Sequence, residues 1–353
     1  MRHKMLQFVF SLAVLMISSM GFCQDKDPSF PAQSSLSSCN PRVTGGYGVY
    51  TYGSFIYWEP IQENMDLGLV SNATNALDLV NGDVIPLDFH YKAGFKVGVG
   101  VQFDYDNWET SFGYTWLRGT MCASAHLNSN NTEGDLLPAW AIPNFLNPHF
   151  HNGSEKWTLK MDLFDWVLGR SNALGKSLCL YFCAGLRGAL ISQDIRINYT
   201  NVNPAYLLIW PSVSIHQKTS SWGIGPELAV NSKWDLGMGI YIQALGEFDI
   251  LFTQYDIRKT ERSDQTVANR YRMVHDNANF LRYHTELSLG LGWKTFFCNS
   301  RYHLDLLADY GFQVFFDQNM FMDTASTQMA GKNSYPNGNL YLHGLTLTAS
   351  FAF

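Results

Sequence analysis

Charge is what this 353-residue sequence has least of: Asp, Glu, Lys and Arg together make up 15%, against roughly 25% in an ordinary soluble domain. A basic stripe is also missing. With 24 Lys and Arg against 30 Asp and Glu the net charge is -6, so nothing is available to neutralise a phosphate backbone and nucleic acid is excluded as a partner. No long stretch repeats its apolar residues at helical spacing. Only one long apolar run occurs, Met5 to Ile17, between Arg2, His3 and Lys4 and the small residues Ser18, Ser19 and Gly21. That run is shorter than the ~20 residues a membrane-spanning helix needs and reads as a cleaved secretory signal peptide over residues 1–23. Phe22, being large, argues against acylation of Cys23. GxSxG, HExxH and CxxC are all absent, which leaves no enzymatic signature. The adjacent His275 and Asp276, and His149 with His151, read as solvated loop residues, and no cofactor or metal is expected.

Aromatic residues and glycine are plentiful: 24 Phe, 18 Tyr, 10 Trp and 29 Gly, with a mean hydropathy of only -0.11. Strands with one apolar and one polar face reconcile these values. From Phe89 to Asp104 the odd positions are aromatic or aliphatic, while His90, Lys92, Lys96, Gln102 and Asp104 are among the even ones. Leu281 to Trp293 and Tyr302 to Val314 alternate in the same way, as does the segment from Met238 to Ile250. Sandwich strands run about 5 to 6 residues; these are long enough to cross an outer membrane at a tilt. Trp108 and Trp116 share a face about 26 Å apart at ~3.3 Å per residue, close to the ~25 Å apolar band of such a barrel.

The connections alternate too. Short links at Tyr105 to Asn107, Ser171 to Lys176, Asn231 to Asp235 and Cys298 to Arg301 interleave with long polar stretches at Glu59 to Pro86, Thr120 to Glu155, Asn198 to Lys218, Lys259 to Asn277 and Asp323 to Asn337. An all-β transmembrane antiparallel up-and-down β-barrel over residues 48–353 is therefore expected, behind a periplasmic segment at 24–47. Ten strands are predicted, or twelve if the stretch containing Met65 to Ser71 hides another pair. Pro226 cannot donate to a closed ladder and calls for a bulge. Phe353, on the apolar face with Phe351, matches the signal that such barrels present to their assembly machinery.

The segments Gly53 to Trp58 (GSFIYW), Ala93 to Gly100 (AGFKVGVG), Trp108 to Leu117 (WETSFGYTWL), Asp165 to Arg170 (DWVLGR), Gly185 to Ala189 (GLRGA) and Trp222 to Glu227 (WGIGPE) resemble, in order, the recurring segments of the pore-forming major outer membrane protein family of Legionella and environmental chlamydiae. The resemblance implies an abundant porin-like barrel in the bacterial outer membrane, with variable loops and no catalytic residue to carry over. It also makes disulfide cross-linking to envelope proteins, or to a second copy, an expectation.

With the apolar face assigned to lipid, the inner face holds Lys92, Lys96, Lys160, Arg187, Arg282 and Lys294 against Asp104, Glu109, Asp162, Glu227, Glu247, Asp249, Glu286, Asp305 and Asp309. Such groups either pair and plug a narrow barrel or line a hydrated passage with a mild cation preference. The inner-face glycines, Gly98, Gly100, Gly239, Gly290, Gly292 and Gly311, read as leaving space. Cys39 and Cys298, on the tail and in a turn, are the expected cross-linking residues, with Cys122 pointing outside. Cys179 and Cys183 lie too far apart along one strand to bond each other. Two functions follow: an outer-membrane porin passing small hydrophilic solutes and ions, or a non-conducting structural or adhesive barrel. The expected partners are outer-membrane lipid, the barrel assembly machinery and disulfide-linked neighbours.

Overall fold

Ten strands close into one antiparallel barrel in the computed structural model, which describes residues 43, 48–71, 82–104, 106–127, 135–141, 150–201, 212–264, 269–322 and 338–353. Residues 1–23, expected to be a signal peptide, most of the 24–47 segment, Cys39 and His149 lie outside the described residues. In chain order the elements are β1 (Val49–Gln62), β2 (Gly68–Ser71), β3 (Gly82–Ile85), β4 (Lys92–Gln102), β5 (Trp108–His126), β6 (Asp135–Pro138), β7 (Asn152–Leu174), β8 (Leu178–Thr200), β9 (Ser212–Gly237), β10 (Ile240–Ser263), β11 (Asn269–Phe297), β12 (Tyr302–Phe315) and β13 (Leu340–Ala352). The wall runs β1-β13-β12-β11-β10-β9-β8-β7-β5-β4 and closes through β4 against β1. Both ends of the wall lie at the rim of short turns, with Phe353 N–H donating to Val49 O at 3.1 Å.

The Met65 to Ser71 stretch does contain a strand, but it adds nothing to the wall. β2 pairs with β3 and β6 in a separate three-stranded sheet. The wall strands are longer than the apolar alternation alone suggests: β7 through β11 run 23 to 29 residues, so much of the sequence that reads as long loop, including His275 and Asp276, continues the wall beyond the bilayer. The β9–β10 link is also displaced. Asn231 to Asp235 stays in β9, and the turn falls at Gly237, Met238 and Gly239, all at positive φ. Asn231, Lys233 and Asp235 read as a turn because they belong to the inner face.

The faces exchange character along each strand. On β7, Phe164, Trp166 and Leu168 are exposed on the outside, whereas further up Trp157, Leu159, Met161 and Leu163 are buried inside. β8 repeats this, with Phe182, Leu186 and Leu190 outside and Ile191, Ile195, Ile197 and Tyr199 inside. The reason is the solvent: within the bilayer the outer face meets hydrocarbon, and beyond it the outer face meets water, so apolar side chains turn inward as in a soluble protein. Lys160 and Asp162, expected inside, consequently lie outside, on the face of Phe164 and Trp166.

Loops complete this upper core. Trp140, Phe150, Met320, Phe321 and Met322 enter the external half of the barrel and are buried against Trp157, Ile197, Tyr199 and Tyr255 or their neighbours. Buried polar groups pin them: Lys259 Nζ donates to Trp140 O at 3.2 Å and Met322 O at 3.4 Å, and Gln217 exchanges two bonds with the Met322 backbone. Pro226 requires no bulge. The β9–β10 register is the same at Glu227–Asp249 and at Ile224–Phe252, and the ladder simply omits Gly225 and Pro226 between them. Gly225 permits this because its backbone presses on the Ile250 carbonyl.

Candidate functional site

At mid-height the lumen is crossed by charged side chains, and Arg187 on β8 is their centre. Phe182, Leu186 and Leu190 face outward on that strand, so alternation sends Arg187 inward, where it is only 4% exposed. Its Nε donates to Asp165 Oδ1 at 2.6 Å, and its Nη1 donates to Asp249 Oδ2 at 2.9 Å and to Glu247 Oε1. Glu227 Oε1 is 3.5 Å from Nη2. His284 on β11 joins through Nδ1, 3.0 Å from Arg187 Nη1 and 2.7 Å from Asp249 Oδ2. One guanidinium thus ties β7, β9, β10 and β11 to β8.

A second contact reaches across from the other side. Lys96 on β4 lies 3.6 Å from Glu286 on β11, four places away around the wall, and sits 4.7 Å from the Trp58 ring centroid. Five carboxyl groups, Asp165, Glu227, Glu247, Asp249 and Glu286, therefore surround two fixed cations. Glu227 Oε2, Asp249 Oδ1 and His284 Nε2 are buried without a protein partner, so the network is not a fully satisfied seal. Glu247, Asp249 and His284 bring ligand atoms within 4.8 Å of one another, as a metal site would. The guanidinium of Arg187 already supplies the positive charge at that point.

The remaining expected residues scatter above and below. Asp305 accepts from Tyr241 and lies 3.5 Å from Lys233, while Lys294 pairs with Asp235 at 3.1 Å, both nearer the short turns. Asp309 faces its partner Gly290. Arg282 sits higher, donating to Tyr255 Oη at 3.2 Å and lying 3.6 Å from Asp317, beneath the segment that caps the barrel. Lys92 leaves the lumen: its stem runs past Gly119 and its ammonium meets His90 Nε2 in an exposed position, because β5 has no β4 neighbour above Leu117. Cys298 occupies the β11–β12 turn at positive φ, and Cys122 is exposed on the outer face of β5. His151 is buried, in contrast to the solvated reading.

Asp165 is the member that sequence reasoning misses, since placing Lys160 and Asp162 inside sends it to the lipid face. The signal that would find it is local: Phe164, Trp166 and Leu168 flank it on the opposite parity. Gly311 leaves space, with nothing nearer than 3.7 Å to an added Cβ, but three of the other inner glycines do not. A Cβ at Gly98, Gly100 or Gly292 would overlap the ring of its cross-strand partner, Tyr52, Tyr50 or Tyr241, so tyrosine rings lie flat over glycine backbone along the inner wall.

A family model described as the Legionella pneumophila major outer membrane protein precursor matches residues 48–353. No curated protein matches in sequence. Among solved structures, the outer membrane protease OmpT of Escherichia coli is similar at 10% identity and a TM-score of 0.39, covering 90% of this chain and 99% of that one. The Pseudomonas putida toluene transporter TodX is similar at 9% identity and a TM-score of 0.34, covering 86% and 89%. Neither likeness is strong enough to transfer chemistry.

Proposed function

We propose, from the premise that the chain belongs to the Legionella major outer membrane protein family, that this outer-membrane barrel is a pore for small ions and hydrophilic solutes, shut in the conformation described and opened by rearrangement around Arg187. The observation that carries this reading is the ion network across the lumen. A permanently sealed barrel is served at least as well by apolar side chains, because burying charges costs several kcal/mol per ion before pairing repays it. Charged groups with unpartnered atoms suit a plug that has to come apart into water. The excess of carboxyl groups favours cations at the constriction.

Planar-bilayer recording on the purified protein, its folding checked by heat modifiability on a detergent gel, tests it. Wild type should show brief openings, and Arg187→Ser should stay open far longer, with a reversal potential on the cation side. The Glu247→Gln, Asp249→Asn pair should reduce that preference. A second reading, a non-conducting structural or adhesive barrel, is favoured by the apolar core in the external half, which must also loosen before anything passes. Silence from both wild type and Arg187→Ser, with folding intact, would establish that reading and reject the pore.

A further inference from the structure

The charged residues that turn up on the outside converge on one place. An open depression of about 530 Å³ on the outer wall of β5 and β7 is lined by Lys92, Arg118, Thr120, Thr158 and Lys160, over the backbone of Gly119 and Leu159. We propose that it binds the phosphorylated sugar headgroup of an outer-leaflet glycolipid.

Height along the wall supplies the first argument. On β5 the outward side chains run Phe112, Tyr114, Trp116, Arg118 and Thr120 toward the external rim, and on β7 the partners run Trp166, Phe164, Asp162, Lys160 and Thr158. Below the depression the surface is aromatic: Phe95 stacks on Trp116 at 5.4 Å between ring centroids, and Tyr114 lies 5.0 Å from Phe164. Arg118 is 5.1 Å above the Trp116 ring. An aromatic belt followed within one residue pair by cations marks the boundary between hydrocarbon and headgroups. Because the long connections mark the external side, that boundary belongs to the outer leaflet.

Charge and donor chemistry supply the second. Arg118 is held rigidly by Asp162, with Nη2 2.8 and 2.6 Å from the two carboxylate oxygens and Nη1 donating to Leu117 O at 2.9 Å and Met161 O at 2.6 Å. Its charge is answered, and it forms the floor. Lys160 has no carboxylate partner among the described residues, and Lys92 has only the neutral-capable His90. Between these two ammonium groups the Thr120 and Thr158 hydroxyls stand 3.3 Å apart. Lysine ammoniums flanking paired hydroxyls match the oxygens of a phosphate on a sugar. Lys156 adds a further exposed cation one turn of the pleat higher, beside Cys122, while Asp88 pairs with Cys122 from the other side.

The test is native mass spectrometry of the full chain in detergent, with diphosphoryl lipid A as the probe and dephosphorylated lipid A, phosphatidylglycerol and inorganic phosphate as comparisons. One diphosphoryl lipid A should be retained, and Lys92→Gln with Lys160→Gln should weaken retention by about tenfold while heat modifiability is unchanged. Lys218→Gln, an exposed cation at similar height on β9, should leave it alone. Equal retention of phosphatidylglycerol or of the dephosphorylated lipid overturns the proposal. So does a double variant that binds like wild type, or a Lys218→Gln loss of the same size.

Discussion

The ring of Tyr52 on β1 lies flat over the backbone of Gly98 on β4, its cross-strand partner, and its hydroxyl reaches to within 2.6 Å of where a Cβ on Gly113 of β5 would stand. One tyrosine therefore depends on two glycines on two strands. Gly98→Ala should destabilise the folded barrel by ~1–3 kcal/mol, the ordinary cost of overpacking. Gly53→Ala, where nothing lies within 4 Å of the added Cβ, should be near neutral. Urea midpoints of the heat-modifiable band would compare them, and equal midpoints would contradict the packing described.

Arg187 holds together groups that cannot stay together without it. Arg187→Met leaves Asp165, Glu227, Glu247 and Asp249 facing one another and should cost ~3–5 kcal/mol at neutral pH, as breaking a buried pair does. Asp165→Asn, which keeps a polar acceptor on Arg187 Nε and reduces the carboxyl excess, should cost far less. The same urea titration reads both, and a Met variant as stable as wild type would mean the network does not tie the strands.

Gly225 and Pro226 make a sharper pair. The missing N–H of Pro226 costs nothing further, because the ladder to β10 already skips it, so Pro226→Ala should change stability by less than ~0.5 kcal/mol. Gly225→Ala drives a methyl into the Ile250 carbonyl and should prevent recovery of the heat-modifiable form on refolding. Reversal of that order would show that proline, and not glycine, sets the local geometry.

Orientation is open to direct chemistry. Cys122 is an exposed thiol on the outer face beyond the aromatic belt, whereas Cys183 faces the interior. A membrane-impermeant maleimide applied to intact cells should label the protein, and Cys122→Ser should abolish that label. Labelling only after permeabilisation would invert the assignment of external and periplasmic ends.

At the rim, Asp264 follows β10 and accepts from Ser212 Oγ at 2.9 Å and Arg262 Nε at 2.9 Å. These bonds hold its carboxyl below the usual 3.8, the hydroxyl contributing most, so the contact is present above the ordinary carboxylate range and is lost only as pH falls through the lowered value. Ser212→Ala should move the Asp264 midpoint upward in an NMR titration; an unchanged midpoint would assign the effect elsewhere.

Alternation between chain neighbours was legible in the residues themselves, because a strand has period two whatever surrounds it. From it follow the all-β class and the ten wall strands, while the polar breaks between alternating runs mark the short turns at Asp106 and Asn107 and at Cys298 to Arg301, and the family rests on the resemblance of the motif segments and not on the alternation. Two-faced strands do not say which face is outside, and here the answer changes at the membrane boundary. Alternation alone therefore puts Lys160 and Asp162 inside and Asp165 on the lipid face, whereas the structure does the reverse, since the outer solvent is hydrocarbon beside Phe164 and water beside Lys160. Closure decided the rest: Asp165 and Glu227 sit on the strands beside Arg187, but Asp249 and His284, two and three strands away, and Glu286, four strands from Lys96, are reached because a ten-strand ring is narrow and curved enough for inward side chains to meet across it. No spacing along one chain encodes that distance. Whether an inward charge lines a passage or blocks it depends on how far away the facing wall stands, and only the folded barrel sets that.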